Sequence, residues 1–175
     1  MDASTIAVLV FRLLHIGSGV AWAGSVFLFV VLIQPSAAGI GPAAGPFMME
    51  LLGRRKLVSW LLSLGGVTVL AGLVLYWRDA DGLAGLGAFL GTPFGIVLTI
   101  GALCAIAAFF IGLFGTRPNA ARLLELSARM AAPGGPSPEI GREIASVQER
   151  LTMLARVAFA LIVVAVFAMA TARYW

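Results

Sequence analysis

Four long apolar stretches divide the chain, and they constrain the fold more than any other feature. They cover residues 6–33, 57–77, 93–114 and 151–172. A helix needs about 20 predominantly apolar residues to cross the hydrocarbon core of a bilayer. With 61% hydrophobic and 11% charged residues, the composition also departs from that of soluble domains. The sequence therefore predicts an all-α, polytopic membrane protein, with residues 1–175 forming a single four-transmembrane-helix bundle.

Basic residues are distributed unevenly between the stretches. The opposite side of the bundle has only Arg78 and Arg173, whereas the segments after the first and third stretches carry eight: Arg54, Arg55, Lys56, Arg117, Arg122, Arg129, Arg142 and Arg150. Lys and Arg accumulate in short loops on the cytoplasmic side of a membrane. We therefore expect both termini on the outer side and both long loops in the cytoplasm. The orientation in the membrane and contact with anionic lipid then account for the basic net charge, and no nucleic-acid partner is expected.

The segment between the third and fourth stretches has two helical patterns. A helix is predicted from Thr116 to Met130, and the Pro- and Gly-rich residues 133–136 must end it. After Ser137, apolar residues recur at three- and four-residue intervals, and the pattern continues into the fourth stretch. We expect a cytoplasmic helical extension of the fourth helix, in a helical hairpin over about residues 116–150. Ile140, Ile144 and Val147 form its apolar seam, which either the first helix of the hairpin or a partner subunit must cover.

Small residues recur at four-residue spacing inside the stretches, a pattern that lets helix backbones approach closely in a membrane. They are Gly17, Ala21 and Ser25 in the first stretch, Thr68 and Gly72 in the second, and Gly101, Ala105, Ala108 and Gly112 in the third. These positions predict helix-packing faces. The loop over residues 34–56 differs, because three prolines and three glycines within residues 35–46 predict that no continuous helix passes through its first half.

The only histidine, His15, lies inside the first stretch, and Arg12 precedes it by three residues. Ionisable side chains in a bilayer usually face a bundle interior, a partner or a wet cavity. Gly19, one helical turn from His15, leaves room beside the ring. Three interpretations of His15 follow. It is a ligand of haem iron or copper; a structural group that bonds to another helix while Arg12 reaches the interface; or, with Arg12, a contact to a neighbouring subunit, pigment or lipid head group.

Residues 11–24 resemble the first helix of the copper-resistance protein D-like membrane proteins and of the related bacterial haem-dependent protoporphyrinogen oxidase family. These families share a histidine, a tryptophan seven residues later and a glycine two residues beyond, here His15, Trp22 and Gly24. The resemblance implies a bacterial cytoplasmic (inner) membrane protein with haem b or copper at His15, and Gly19 and Trp22 beside the cofactor. Because the chain has no second histidine, a further ligand would come from Met169 or from a neighbouring subunit.

Beyond His15, the sequence contains few residues that indicate chemistry. The later stretches have neither histidine nor lysine, and no phosphate-binding loop is present. A transporter usually has broken helices or several intramembrane charges. The sequence therefore favours a non-catalytic accessory or structural subunit of a larger membrane complex, of respiratory or photosynthetic type, over an enzyme. The alternative is a haem- or copper-binding protein of the copper-resistance D-like family, with His15 as ligand.

Overall fold

The computed structural model describes residues 2–133 and 137–175, which are helical almost throughout and contain no strand. Part of the predicted break at residues 133–136 lies outside the described residues. The helices are α1 (Ala3–Leu28), α2 (Gln34–Ile40), α3 (Gly45–Met49), α4 (Leu57–Asp79), α5 (Gly82–Leu90), α6 (Pro93–Phe110), α7 (Arg117–Ala131) and α8 (Pro138–Thr171). π-Helical segments at Phe29–Ile33, Glu50–Arg54 and Ile111–Thr116 and a 3₁₀ turn at Gly41–Ala44 lie between these helices, and a second 3₁₀ turn, Ala172–Tyr174, follows α8.

Four helical bodies are long and apolar enough to cross a membrane: Ala3–Arg54, Leu57–Asp79, Pro93–Ala131 and Pro138–Tyr174. The predicted all-α membrane bundle is confirmed. Large apolar side chains such as Leu13, Leu70 and Phe167 are exposed along these helices, as expected where helices contact lipid. We call the end of the bundle that carries Arg54–Lys56 and the α7–α8 connection the basic end.

The bundle consists of two helix pairs. α1 packs mainly against α4, and α6 packs mainly against α8. The pairs meet at a small buried core formed by Trp22 and Val26 of α1, Ala108 of α6 and Ile162 of α8. This arrangement puts the two consecutive hairpins of the chain side by side, with the core between them.

The segment after α1 is largely helical. Pro35 lies in the first turn of α2, directly after the π-helical segment Phe29–Ile33. The predicted interruption lies at Gly41, whose φ of 69° is a conformation that glycine adopts without steric conflict. Beyond this turn, the Glu50–Arg54 segment returns to the bundle, where Gly53 lies against Leu124 of α7. The loop is therefore part of the packed structure at the basic end.

At the basic end, α7 packs against α8. Arg122 donates from Nε and Nη2 to the same oxygen of Glu143, at 2.9 and 2.7 Å, and from Nη1 to Glu125. These hydrogen bonds, first to Glu143 and then to Glu125, raise the pKa of Arg122. The hydrogen bond from Arg122 and the charge of Arg129 lower the pKa of Glu125. Leu126 of α7 is only 1% exposed, so α7 buries apolar surface in this contact.

The apolar seam of α8 is thereby covered within the chain. Ile140, Ile144 and Val147 are half-buried on the part of α8 that accompanies α7. The seam was predicted to be covered either by the first helix of the hairpin or by a partner subunit. In the structure the first helix of the hairpin, α7, folds back and packs against α8.

A tight corner joins α5 to α6 at the other end of the bundle. Thr92 caps α6: its hydroxyl accepts from the Gly95 amide at 3.0 Å and donates to the carbonyl of Phe89 at 2.7 Å. Phe89 is buried against the ring edges of Tyr76 and Phe94. A Cβ at position 95 would overlap the backbone carbonyl of Phe89, so only glycine fits this corner.

Candidate functional site

His15 lies at the contact between α1 and α4. Its Nδ1 is 2.8 Å from the backbone carbonyl oxygen of Thr68. Because a carbonyl oxygen can only accept, we assign the ring proton to Nδ1. In the neutral ring, Nε2 is then the nitrogen with a free lone pair.

A pair of hydroxyl groups continues this polar contact. Ser18 Oγ and Thr68 Oγ1 lie 2.8 Å apart, and each also lies near a carbonyl of its own helix, Leu14 at 2.5 Å and Leu64 at 2.8 Å. Three short contacts share two hydroxyl protons, so one hydroxyl donates across the helices and the other donates within its own helix. Thr68 is 7% exposed and is the buried polar residue of the described chain.

Glycines make the close approach of α1 and α4 possible. A Cβ on Gly72 would lie 2.8 Å from Cε1 and 2.9 Å from Nδ1 of His15. A Cβ on Gly65 would lie 2.9 Å from Cε2 of Trp22 in the same way. Each ring therefore occupies the space that a side chain on α4 would need.

The space predicted beside the His15 ring at Gly19 is taken by α4. A Cβ on Gly19 would lie 3.4 Å from the methyl carbon of Thr68. His15, Gly19 and Trp22 are thus brought together on one face of α1, and their nearest neighbours are residues of α4.

Two other predicted residues lie elsewhere. Met169 belongs to the α6–α8 pair, and its Cγ would be 3.3 Å from a Cβ on Gly101. Arg12 is exposed on α1, and no carboxylate within residues 2–133 and 137–175 forms an ion pair with it.

The chemistry of His15 fits one bond to a haem iron or to copper. Histidines that bind metals commonly donate their other ring N–H to a backbone carbonyl, as Nδ1 of His15 does to Thr68. No group of three or more His, Cys, Asp or Glu side chains suited to a metal occurs in the described part of the chain. His15 would therefore supply a single metal ligand, through Nε2.

Sequence reasoning placed Thr68 and Gly72 on a packing face without connecting them to His15. Their four-residue spacing was the available signal, because it puts two small residues one turn apart on the same side of a helix, where another helix can approach closely. The spacing does not reveal which helix will use them.

Comparisons with protein-family models, with curated proteins and with solved structures find no match to the chain. The fold therefore defines only the class of protein: a multi-pass all-α membrane protein with four helices that could span a bilayer. Any narrower function has to be argued from its own residues.

Proposed function

We propose that the protein is a non-catalytic accessory subunit of a larger membrane complex, of respiratory or photosynthetic type, which it joins through the outward face of α1. The observation that carries this proposal is a set of small residues with nothing beside them. A Cβ on Gly17 or Gly24 would meet no atom within 4 Å, and Ala21 is exposed. By helical periodicity, the three residues lie on the side of α1 away from His15 and Trp22. Such residues allow a second helix to approach closely.

Two glycines of the third stretch, Gly101 and Gly112, are used for packing within the chain, which distinguishes them from this face. A Cβ on Gly101 would lie 3.0 Å from Cβ of Ala168, and one on Gly112 would lie 3.2 Å from Leu62. The face of Gly17, Ala21 and Gly24 has the same composition without an internal neighbour. A helix from another subunit is the partner that would fill it.

Arg12 also supports an assembly role. An arginine inside an apolar stretch is unfavourable in lipid unless it reaches the interface or finds an anionic partner. Its exposure on α1, outside the face of Gly17, Ala21 and Gly24, lets it meet a carboxylate of a neighbouring subunit. We propose further that both termini lie outside the cytoplasm, an orientation that the distribution of basic residues favours, and that the membrane is a bacterial inner membrane.

The first prediction concerns Gly17→Leu. We expect the leucine to block close approach of a partner helix while leaving the bundle intact, because a side chain at this position meets open space. A loss of about 1.4 kcal/mol of association lowers the ratio of assembled to free protein about tenfold. Native gel electrophoresis after solubilisation of source membranes in mild detergent measures this ratio.

Ala160→Leu is the matched control, since Ala160 is exposed on α8 and away from the α1 face. We expect this variant and the unmodified protein to migrate together in a larger assembly. Migration of the unmodified protein as a lone small species would contradict the accessory role, and equal behaviour of the two variants would contradict the assignment to α1.

A second function is favoured by one observation, the hydrogen bond that leaves Nε2 of His15 without a proton. We propose haem as the group that His15 would bind in this case. Haem bound there would give the protein a redox-active or sensing group. The packing of α1 against α4 would fix the ring of His15, and the backbone carbonyl of Thr68 would hold its proton on Nδ1.

The second prediction tests the haem proposal by spectroscopy. Titration of the purified protein with haem should produce the shifted Soret absorption of histidine-ligated haem, and His15→Ala should abolish the shift. Thr171→Val is the control, because the hydroxyl of Thr171 bonds only to the Phe167 carbonyl of its own helix. An unshifted spectrum with the unmodified protein, or an unchanged shift in His15→Ala, would refute ligation by His15.

A further inference from the structure

A cavity of about 670 Å³ lies between the two helix pairs toward the basic end. Ligand-binding pockets of proteins commonly measure about 300–1,000 Å³. The inner end of the cavity is the buried core of Trp22, Val26, Ala108 and Ile162. The loop between α1 and α4 forms one wall, through residues such as Met48. The cavity thus combines an apolar interior with a boundary at the membrane surface.

The lining becomes polar along α8. Gln148, Thr152 and Arg156 follow one another at four-residue intervals and all line the cavity, with Gln34 of α2 also contributing. The hydroxyl of Thr152 donates to the carbonyl of Gln148 at 2.9 Å. Arg156 lies deepest of the three, inside the fourth apolar stretch.

Arg156 supplies a charge without a protein counterion. It is exposed, and none of the ion pairs formed by residues 2–133 and 137–175 includes it. An arginine at this depth requires an anionic partner or a route to water. Guanidinium groups bind phosphate through two parallel hydrogen bonds. Charge complementarity therefore indicates an anion next to an apolar chain.

We propose that the cavity binds an anionic glycerophospholipid, with one acyl chain inside it and the phosphate at Arg156. A methylene group and a water molecule each take up roughly 30 Å³, so the cavity has room for about 20 such groups, or one long acyl chain. Basic pockets between membrane helices on the cytoplasmic side are known to hold anionic lipid head groups. The proposal is independent of the accessory and haem functions, because neither Gly17 nor His15 lines the cavity.

Trp22 provides a reporter for the third prediction, since it lines the cavity and is only 7% exposed. Lipid around the outside of the bundle does not reach a residue so buried, whereas an acyl chain in the cavity does. The full chain is prepared with phenylalanine at the three exposed tryptophans, Trp60, Trp77 and Trp175. It is reconstituted in phosphatidylcholine vesicles that contain increasing fractions of phosphatidylglycerol with brominated acyl chains.

We expect brominated phosphatidylglycerol to quench Trp22 at low mole fraction, and brominated phosphatidylcholine to require a much higher fraction. Arg156→Gln should weaken the preference for phosphatidylglycerol about tenfold, the change expected for loss of one charge-assisted contact. Arg150→Gln is the control, because Arg150 is an exposed arginine of α8 outside the cavity lining.

A cavity-filling variant provides a second test that keeps Arg156. Ala155 lines the cavity and is half-buried, so Ala155→Phe should remove the quenching. Equal quenching by the two lipids, no quenching by either, or an unchanged preference in Arg156→Gln would each overturn the proposal. Quenching by a brominated fatty acid but not by brominated phosphatidylglycerol would assign the cavity to a carboxylate amphiphile instead.

Discussion

Replacing Gly95 with alanine is expected to lower the free energy of unfolding by about 3 kcal/mol, the upper part of the usual range for an overpacked site. The new Cβ would overlap the backbone carbonyl of Phe89. A backbone carbonyl cannot rotate away as the end of a side chain can, so the corner between α5 and α6 has to shift. The shift also weakens the cap of α6, because Thr92 bonds to both Phe89 and Gly95.

Unfolding in mixed micelles with increasing sodium dodecyl sulfate, followed by circular dichroism, measures this loss. Gly87→Ala is the matched control, since Gly87 belongs to α5 and a Cβ there would meet nothing within 4 Å. Equal stability of the two variants would contradict the packing described for this corner.

Gly72→Ala is expected to destabilise the protein by about 2 kcal/mol, because it overpacks the contact between α1 and α4. The new Cβ would lie 2.8 Å from Cε1 of His15, so the ring has to move. Movement of the ring breaks the hydrogen bond from Nδ1 to the Thr68 carbonyl, which is 2.8 Å long in the native arrangement. The variant therefore lowers the stability of the protein and also changes which ring nitrogen of His15 carries the proton.

Gly66→Ala separates this effect from a general effect of alanine on α4. Gly66 lies in the same helix, and its Cβ would make an ordinary contact with Phe109 at 3.6 Å. We expect Gly66→Ala to unfold like the native protein. Nitrogen NMR of labelled His15 should show a proton fixed on Nδ1 in Gly66→Ala and exchange between the two ring nitrogens in Gly72→Ala. A fixed Nδ1 proton in both variants would disprove the close contact of Gly72 with His15.

The four spans and the long last helix could be predicted from the sequence because their signals are local. A helix that begins after Ser137 and continues through the fourth stretch was expected, and α8 covers Pro138–Thr171 with a 3₁₀ turn to Tyr174. Ser137 caps it, accepting from the Ile140 amide at 3.2 Å. The length of the apolar stretch, the helical periodicity and the cap can all be read from neighbouring residues. When these local signals agree, tertiary contacts rarely change the secondary structure that they specify.

A bond from His15 to another helix was one of the three interpretations, but the residue that accepts it could not be predicted, because the acceptor is a backbone carbonyl 53 positions away in the chain. Every residue carries a carbonyl, so the partner leaves no trace in the residue types. The glycines did not indicate which of them pack inside the chain. Gly72 lies against the ring of His15, whereas a Cβ on Gly17 would meet no atom within 4 Å. The cavity was missed because it forms between elements, and Arg156 alone resembles any arginine near the end of a span.

The pairing of consecutive helices has a consequence for the biosynthesis of the protein. α1 and α4 are made first, and their polar groups at His15, Ser18 and Thr68 are matched to each other across this hairpin. The first hairpin is therefore able to enter the lipid with these groups already hydrogen-bonded, before the ribosome has completed α6 and α8. We expect the second hairpin to follow as another unit and to close around Trp22 last, so that translation order and the order of assembly coincide.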